Sequence, residues 1–143
     1  MSQADAVPLV STLVVAATPR AVRWAREHVA SALSAWELDG DVIQAAKLLT
    51  SELVTNAILA CADGAPPGAP GSAWCVAIRL DLPDSTLRIS VWDGDSSPPV
   101  LTCAALESES GRGLQLVAAL AKQWDFYPAN GGKVVWCEIW TGG

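Results

Sequence analysis

Histidine is almost missing from this chain; His28 is the one copy. A hydrolase built on a Ser-His-Asp triad needs a histidine between its nucleophile and its acid, and a lone histidine inside a helical stretch makes a poor start for one. Methionine, phenylalanine and tyrosine also occur once each, leaving seven tryptophans to carry the aromatic content. Their ordinary work is core and interface packing. Long apolar runs are absent too: Val7 to Ala17 falls well short of the roughly 20 residues a membrane helix requires, so no membrane insertion is expected. Basic clusters are lacking, with nine Lys and Arg against fifteen Asp and Glu and a net charge of −6. That balance disfavours direct nucleic-acid binding, which rests on neutralising phosphates; a protein or nucleotide partner suits it better. No basic region precedes an apolar core at the amino terminus as in a secretory leader, and a cytoplasmic location is expected. Cys61, Cys75, Cys103 and Cys137 show no metal-ligand spacing and read as reduced, buried or half-buried thiols. Neither a Gly-Lys-Ser/Thr phosphate loop nor a three-glycine dinucleotide fingerprint occurs.

What is present fits one domain over 1–143, with a core from about 9 to 140. Val7 to Ala17 is β-branched and apolar and predicts a strand. Thr18-Pro19 then reads as a helix cap followed by proline at the first helical position. Val22, Ala25, Val29, Ala32 or Leu33 and Trp36 recur at helical spacing up to the Asp39-Gly40-Asp41 turn. Asp41 is placed to cap a second helix running to about Ala62. The Pro- and Gly-rich stretch from Asp63 to Ser72 is a loop. Ala73 to Leu82 and Thr86 to Asp93 predict a hairpin around Pro83-Asp84-Ser85. Gly94 to Ser110 has no period and reads as an irregular, lid-like segment. A third helix opens at Gly111-Arg112-Gly113, and a last hairpin spans Gln123 to Trp140 around Asn130-Gly131-Gly132. This order segregates helices from a largely antiparallel sheet, an α+β two-layer sandwich with its helices on one face.

Three places carry chemistry. Glu52 and Asn56 stand four apart, on one helix face, among Leu49, Leu53 and Ala57, where an unpartnered carboxylate and amide are costly. A carboxylate that can hold a hydroxyl, beside an amide oxygen that can ligate a hard cation, suits metal-assisted phosphate chemistry; a purely structural hydrogen-bonded pair is the alternative. Asp93 ends a strand and precedes Gly94, so it is either a turn aspartate or an acceptor for an exocyclic amine such as adenine's. Gly111, Arg112, Gly113 and Leu114 put backbone N–H groups at a helix start, an anion site favoured by orphan donors and the helix dipole. Arg112 adds a bidentate phosphate donor.

In that order the set resembles the GHKL ATPase superfamily of gyrase, heat-shock-90 and histidine kinases, in its branch of small bacterial anti-sigma-factor serine/threonine kinases, from about Val10 to Trp140. Glu52-Leu53-Val54-Thr55-Asn56-Ala57 is similar to the family's N-box, Trp92-Asp93 to its first glycine box, Gly111 to Val117 to its second, and Gly132-Lys133-Val134-Val135-Trp136 to its closing strand. The resemblance implies a Bergerat-type ATP-binding fold and a kinase using ATP and Mg2+. It implies Glu52 as general base, Asn56 as magnesium ligand, Asp93 as reader of the adenine amine, and Gly111 to Leu114 around the phosphates. It also implies a protein partner, a sigma factor or an anti-anti-sigma antagonist whose serine is phosphorylated, and a homodimer. Three positions depart from the pattern: Asp95 replaces a glycine, Ala60 a histidine, and Val134 a threonine that supports the adenine-reading aspartate. A degenerate, non-catalytic nucleotide-binding or protein-interaction module is the alternative.

Overall fold

A computed structural model describes residues 9–64, 75–95, 99 and 120–142, with side chains left aside at 62–64. Strand β1 (Leu9–Ala16) leads into helices α1 (Arg20–Ala35) and α2 (Gly40–Gly64), followed by strands β2 (Cys75–Leu82), β3 (Thr86–Asp93), β4 (Gln123–Ala129) and β5 (Gly132–Trp140). The five strands form one sheet in the order β1-β2-β3-β5-β4, and every pairing is antiparallel. Both helices pack on one face, α2 against β2, β3 and β5 and α1 against α2 and β1. The expected α+β sandwich is the observed one; the helix expected from Gly111 lies outside the described residues.

Period-two alternation makes the sheet two-faced. Leu87, Ile89, Val91 and Asp93 of β3 are buried toward the helices, as are Lys133, Val135, Cys137 and Ile139 of β5. The same phase in β2 buries Val76, Ile78 and Leu80. Opposite them, α1 buries Ala21, Ala25, Val29 and Leu33, a stripe of every fourth residue. Val22, Ala32 and Trp36, expected on that stripe, flank it half-buried. From α2 come Ala46, Leu49, Thr50, Leu53, Val54, Ala57 and Cys61.

Turn chemistry follows the sequence closely. Asp84 Oδ1 accepts the Thr86 N–H at 3.0 Å to close the β2-β3 turn. Asn130 and Gly131, at φ 49° and 78°, make a hairpin turn that needs two left-handed residues. The helix starts differ from expectation. No side chain caps α1; the Thr18 carbonyl accepts the Ala21 N–H instead, so proline's fixed φ and a backbone bond do the work. Asp41 sits inside the first turn of α2, where it complements the dipole, and the Asp39 carbonyl accepts the Ile43 N–H. At the end of α1, Glu37 adopts φ 61° while its N–H and that of Leu38 bond back to Ser34 and Leu33. That left-handed position favours glycine. Glu37→Gly should relieve the roughly 1 to 2 kcal/mol of a left-handed non-glycine residue against about 0.5 to 1 kcal/mol of added chain entropy, a small net gain read as a higher midpoint in chemical denaturation.

Tryptophan is less central than its packing role suggested. Trp36 and Trp124 pack against the core, whereas Trp24 and Trp140 are exposed. Trp92 and Trp136 lie in the outward phase of their strands. Arg88 stacks over Trp136 at 4.1 Å and bonds Glu138 at 3.1 Å on that outer face. His28 Nε2 meets Ser11 Oγ at 2.8 Å, tying α1 to β1. Cys61, Cys75 and Cys137 are free thiols.

Candidate functional site

The site begins where β3 ends. Asp93 is fully buried, in the inward phase of β3. Its Oδ1 accepts the Asp95 N–H at 2.9 Å and the Lys133 Nζ at 3.0 Å, and the same ammonium donates to the Asp95 carbonyl at 3.0 Å. Oδ2 is equally buried and has no hydrogen-bond partner among the described residues. Such an orphan costs about 1 to 3 kcal/mol, so a donor at this point would repay its burial. Burial pushes the Asp93 carboxyl above the usual carboxylate range, against the opposing pull of Lys133 and the Asp95 N–H.

Lys133 is the residue that the sequence reading missed. It is only 2% exposed, at the start of an otherwise apolar inward row. Antiparallel register sets Lys133 opposite Asp93 and Val134 opposite Trp92. Val134 therefore stands on the outer face, and the expectation that it occupies the support position beside the aspartate is corrected: an ammonium supports Asp93. Strand alternation is the physical reason. It likewise moves Trp92 away from the site, its indole N–H donating to the Ala129 carbonyl at 2.8 Å. The signal was present in the sequence as a lysine in the apolar phase of β5.

Two further neighbours close in on the Asp93 turn. Gly132 lies so close that a Cβ there would run into the Asp93 carbonyl and Gly94 Cα. Only glycine permits that approach. Cys61, near the end of α2, is buried beside the Gly94 N–H and in the field of Asp93; burial is the chief cause of its raised thiol pKa. The late turns of α2 thus abut the Asp93-Gly94 turn. Asp95 is not among the residues with positive φ, so its backbone carries no strain of that kind.

Glu52 and Asn56 share one flank of α2, half-buried beside the core stripe. They are less buried than their apolar neighbours suggested, because Leu49, Leu53 and Ala57 turn into the sheet and leave the pair at the margin. Glu52 lies nine residues before Cys61, which is roughly 13 Å of helix at 1.5 Å per residue. Asn56 falls between them. The helix therefore spreads amide and carboxylate along a line leading away from Asp93. Among the described residues no cluster of three His, Cys, Asp or Glu side chains could hold a metal alone. A magnesium ion here would take protein oxygen from one or two side chains and complete its shell from phosphates and water, its usual habit. Gly111, Arg112, Gly113 and Leu114 lie outside the described residues, as does most of the segment from Gly94 to Ser110. A concavity of about 1320 Å3 opens on the outer sheet face, lined by Arg79, Arg88, Trp92, Tyr127 and Val134 among others. None of Glu52, Asn56 or Asp93 lines it.

Fold and site together describe a class: a sandwich whose long helix and central strand end converge on a buried acid with an oxygen that has no partner among the described residues. The histidine kinase-like ATPase domain model matches residues 15–139, and the chain belongs to that family. Among solved structures, it is similar to the RsbU and RsbW domains of Rv1364c from Mycobacterium tuberculosis, at 22% sequence identity with a TM-score of 0.63. That likeness covers 91% of this chain but 31% of the solved one, and it bears on the fold. No curated protein matches the sequence. Among the described residues no helix is long and apolar enough to cross a membrane.

Proposed function

We propose that this chain binds Mg-ATP and acts as an anti-sigma-type serine kinase, transferring phosphate to a serine of an antagonist protein and sequestering a regulatory partner such as a sigma factor. The observation that carries the nucleotide half is the buried Oδ2 of Asp93, without a partner among the described residues, beside an Oδ1 that already holds two donors. An exocyclic amine is the donor that oxygen lacks. Asp93 takes the adenine amino group, Asn56 the magnesium, and Gly111 to Leu114 the phosphates. Glu52, set along α2 from the base, accepts the proton of the incoming serine. Positioning and charge neutralisation supply most of the rate in such transfers. The acidic net charge and the family membership support a protein partner in the cytoplasm, with a homodimer as the working assembly.

The test is thermal unfolding with Mg-ATP. A ligand bound only to the native state at a hundredfold over its Kd adds about 2.7 kcal/mol of stability, and ATP should raise the melting temperature where GTP does not. Asn56→Ala should keep its fold and lose the magnesium dependence of binding, read by calorimetry with and without the ion. A wild-type melting point indifferent to Mg-ATP overturns the proposal. Binding without transfer to any antagonist would leave the non-catalytic module.

A further inference from the structure

Asp93 and Lys133 form one buried ion pair, their side chains 0% and 2% exposed. The Asp93 carboxylate presents a buried acceptor with no partner among the described residues. Its neighbour Lys133 is an ammonium, 3.0 Å from Oδ1. An ammonium has three N–H donors, and two are spent on Asp93 Oδ1 and the Asp95 carbonyl. Among the described residues, one N–H of Lys133 and one oxygen of Asp93 are thus left without a partner. Gly132, with no side chain, keeps the backbone of β5 tight against the Asp93-Gly94 turn, so the two groups are carried on adjoining strands in fixed register.

The pairing edge of adenine offers the complement: an exocyclic amine that donates and, beside it, a ring nitrogen N1 that accepts. Resting on the proposed nucleotide-binding role, we propose that Lys133 is a base-reading residue, its remaining N–H donated to adenine N1 while Asp93 Oδ2 accepts the amine. Guanine reverses both groups. Its N1–H would face the ammonium and its O6 would face the carboxylate, a donor on a donor and an acceptor on an acceptor. Sites that hydrogen-bond a ligand group with buried polar atoms reject analogues that leave those atoms unpaired. The selectivity of the pocket then comes from the lysine as much as from the aspartate.

Two base analogues separate the two contacts. Calorimetry of the wild-type chain with ATP, 1-deaza-ATP (no N1 acceptor) and purine riboside triphosphate (no amine), each with magnesium, is expected to give affinities about tenfold or more below ATP for both analogues, the scale of a charge-assisted hydrogen bond. Lys133→Met should bind ATP about tenfold more weakly and no longer distinguish ATP from 1-deaza-ATP. A merely structural lysine would weaken both ligands equally and leave their ratio intact. Equal wild-type affinity for ATP and 1-deaza-ATP overturns the proposal, even if Lys133→Met proves too unstable to assay; so does a ratio that survives in that variant. If purine riboside triphosphate binds as well as ATP, the aspartate reading fails and the lysine is judged on 1-deaza-ATP alone. Absence of ATP binding overturns both.

Discussion

Glu52→Gln is expected to hold Mg-ATP within about twofold of wild-type affinity and to lower phosphoryl transfer to an antagonist serine by roughly 100-fold or more, the usual scale of positioned acid–base catalysis. Such a loss corresponds to about 2.7 kcal/mol of barrier. The substitution keeps the side chain's size and removes its basicity. Glu52 is half-buried on the flank of α2, so an amide there meets water as well as protein and the fold should tolerate it. Its place roughly 13 Å along the helix from Cys61, the α2 residue that lies beside the Asp93-Gly94 turn, sets proton transfer apart from base recognition, and the two should fail independently in mutants. The assay is labelled ATP with candidate antagonist proteins. Transfer that persists undiminished in Glu52→Gln removes the base from the mechanism.

That independence distinguishes a kinase from a nucleotide-gated scaffold. In a scaffold, Asp93 and Lys133 would still select the base and stabilise the native state, while Glu52 could be changed without consequence. Asp95 bears on both cases. Its backbone N–H and carbonyl hold Asp93 and Lys133 together, so Asp95 takes part through its main chain.

How far the sequence foretold this arrangement differs by level. Strands, turns and helices were legible because period-two and period-four burial, Asn-Gly and Pro-Asp signals are local. Glu52, Asn56 and Asp93 were legible as polar residues out of keeping with apolar surroundings. Lys133 was not, because its meaning depends on a pairing between residues forty positions apart. Placing Val134 beside Asp93 was an error of one residue in β5, and in a strand one residue is the difference between the two faces. The helix caps failed for a similar reason: Thr18 and Asp41 have the right side chains, but main-chain carbonyls of Thr18 and Asp39 were already in position. The sequence also overstated how deeply Glu52 and Asn56 lie, since a helix flank and a helix face share the same neighbours in a linear reading.

The buried pair makes a second large prediction, now for stability. Lys133→Met preserves most of the side chain's volume but leaves the Asp93 carboxylate buried without its cation. Removing one partner of such a pair costs about 3 to 5 kcal/mol, a large share of the roughly 5 to 15 kcal/mol that holds a domain together. Asp93→Asn combined with Lys133→Met should cost less than Lys133→Met alone, because the stranded charge is gone. The pH dependence has a definite sign. Asp93 already has its pKa raised by burial, and Lys133 opposes that rise; without the lysine it rises further. A carboxyl with a higher pKa in the native state binds its proton more tightly there than when unfolded, so stability is greatest below the unfolded value and falls as pH climbs through the folded one. Lys133→Met should therefore lose most against wild type near neutral pH and recover part of the deficit on acidification toward the carboxylate range, as Asp93 takes up a proton. Denaturation midpoints at pH 7 and pH 5 for the wild type, the single variant and the double variant measure this directly. A deficit in Lys133→Met that is the same at both pH values, or that the second substitution does not relieve, means the ammonium does not compensate the Asp93 charge.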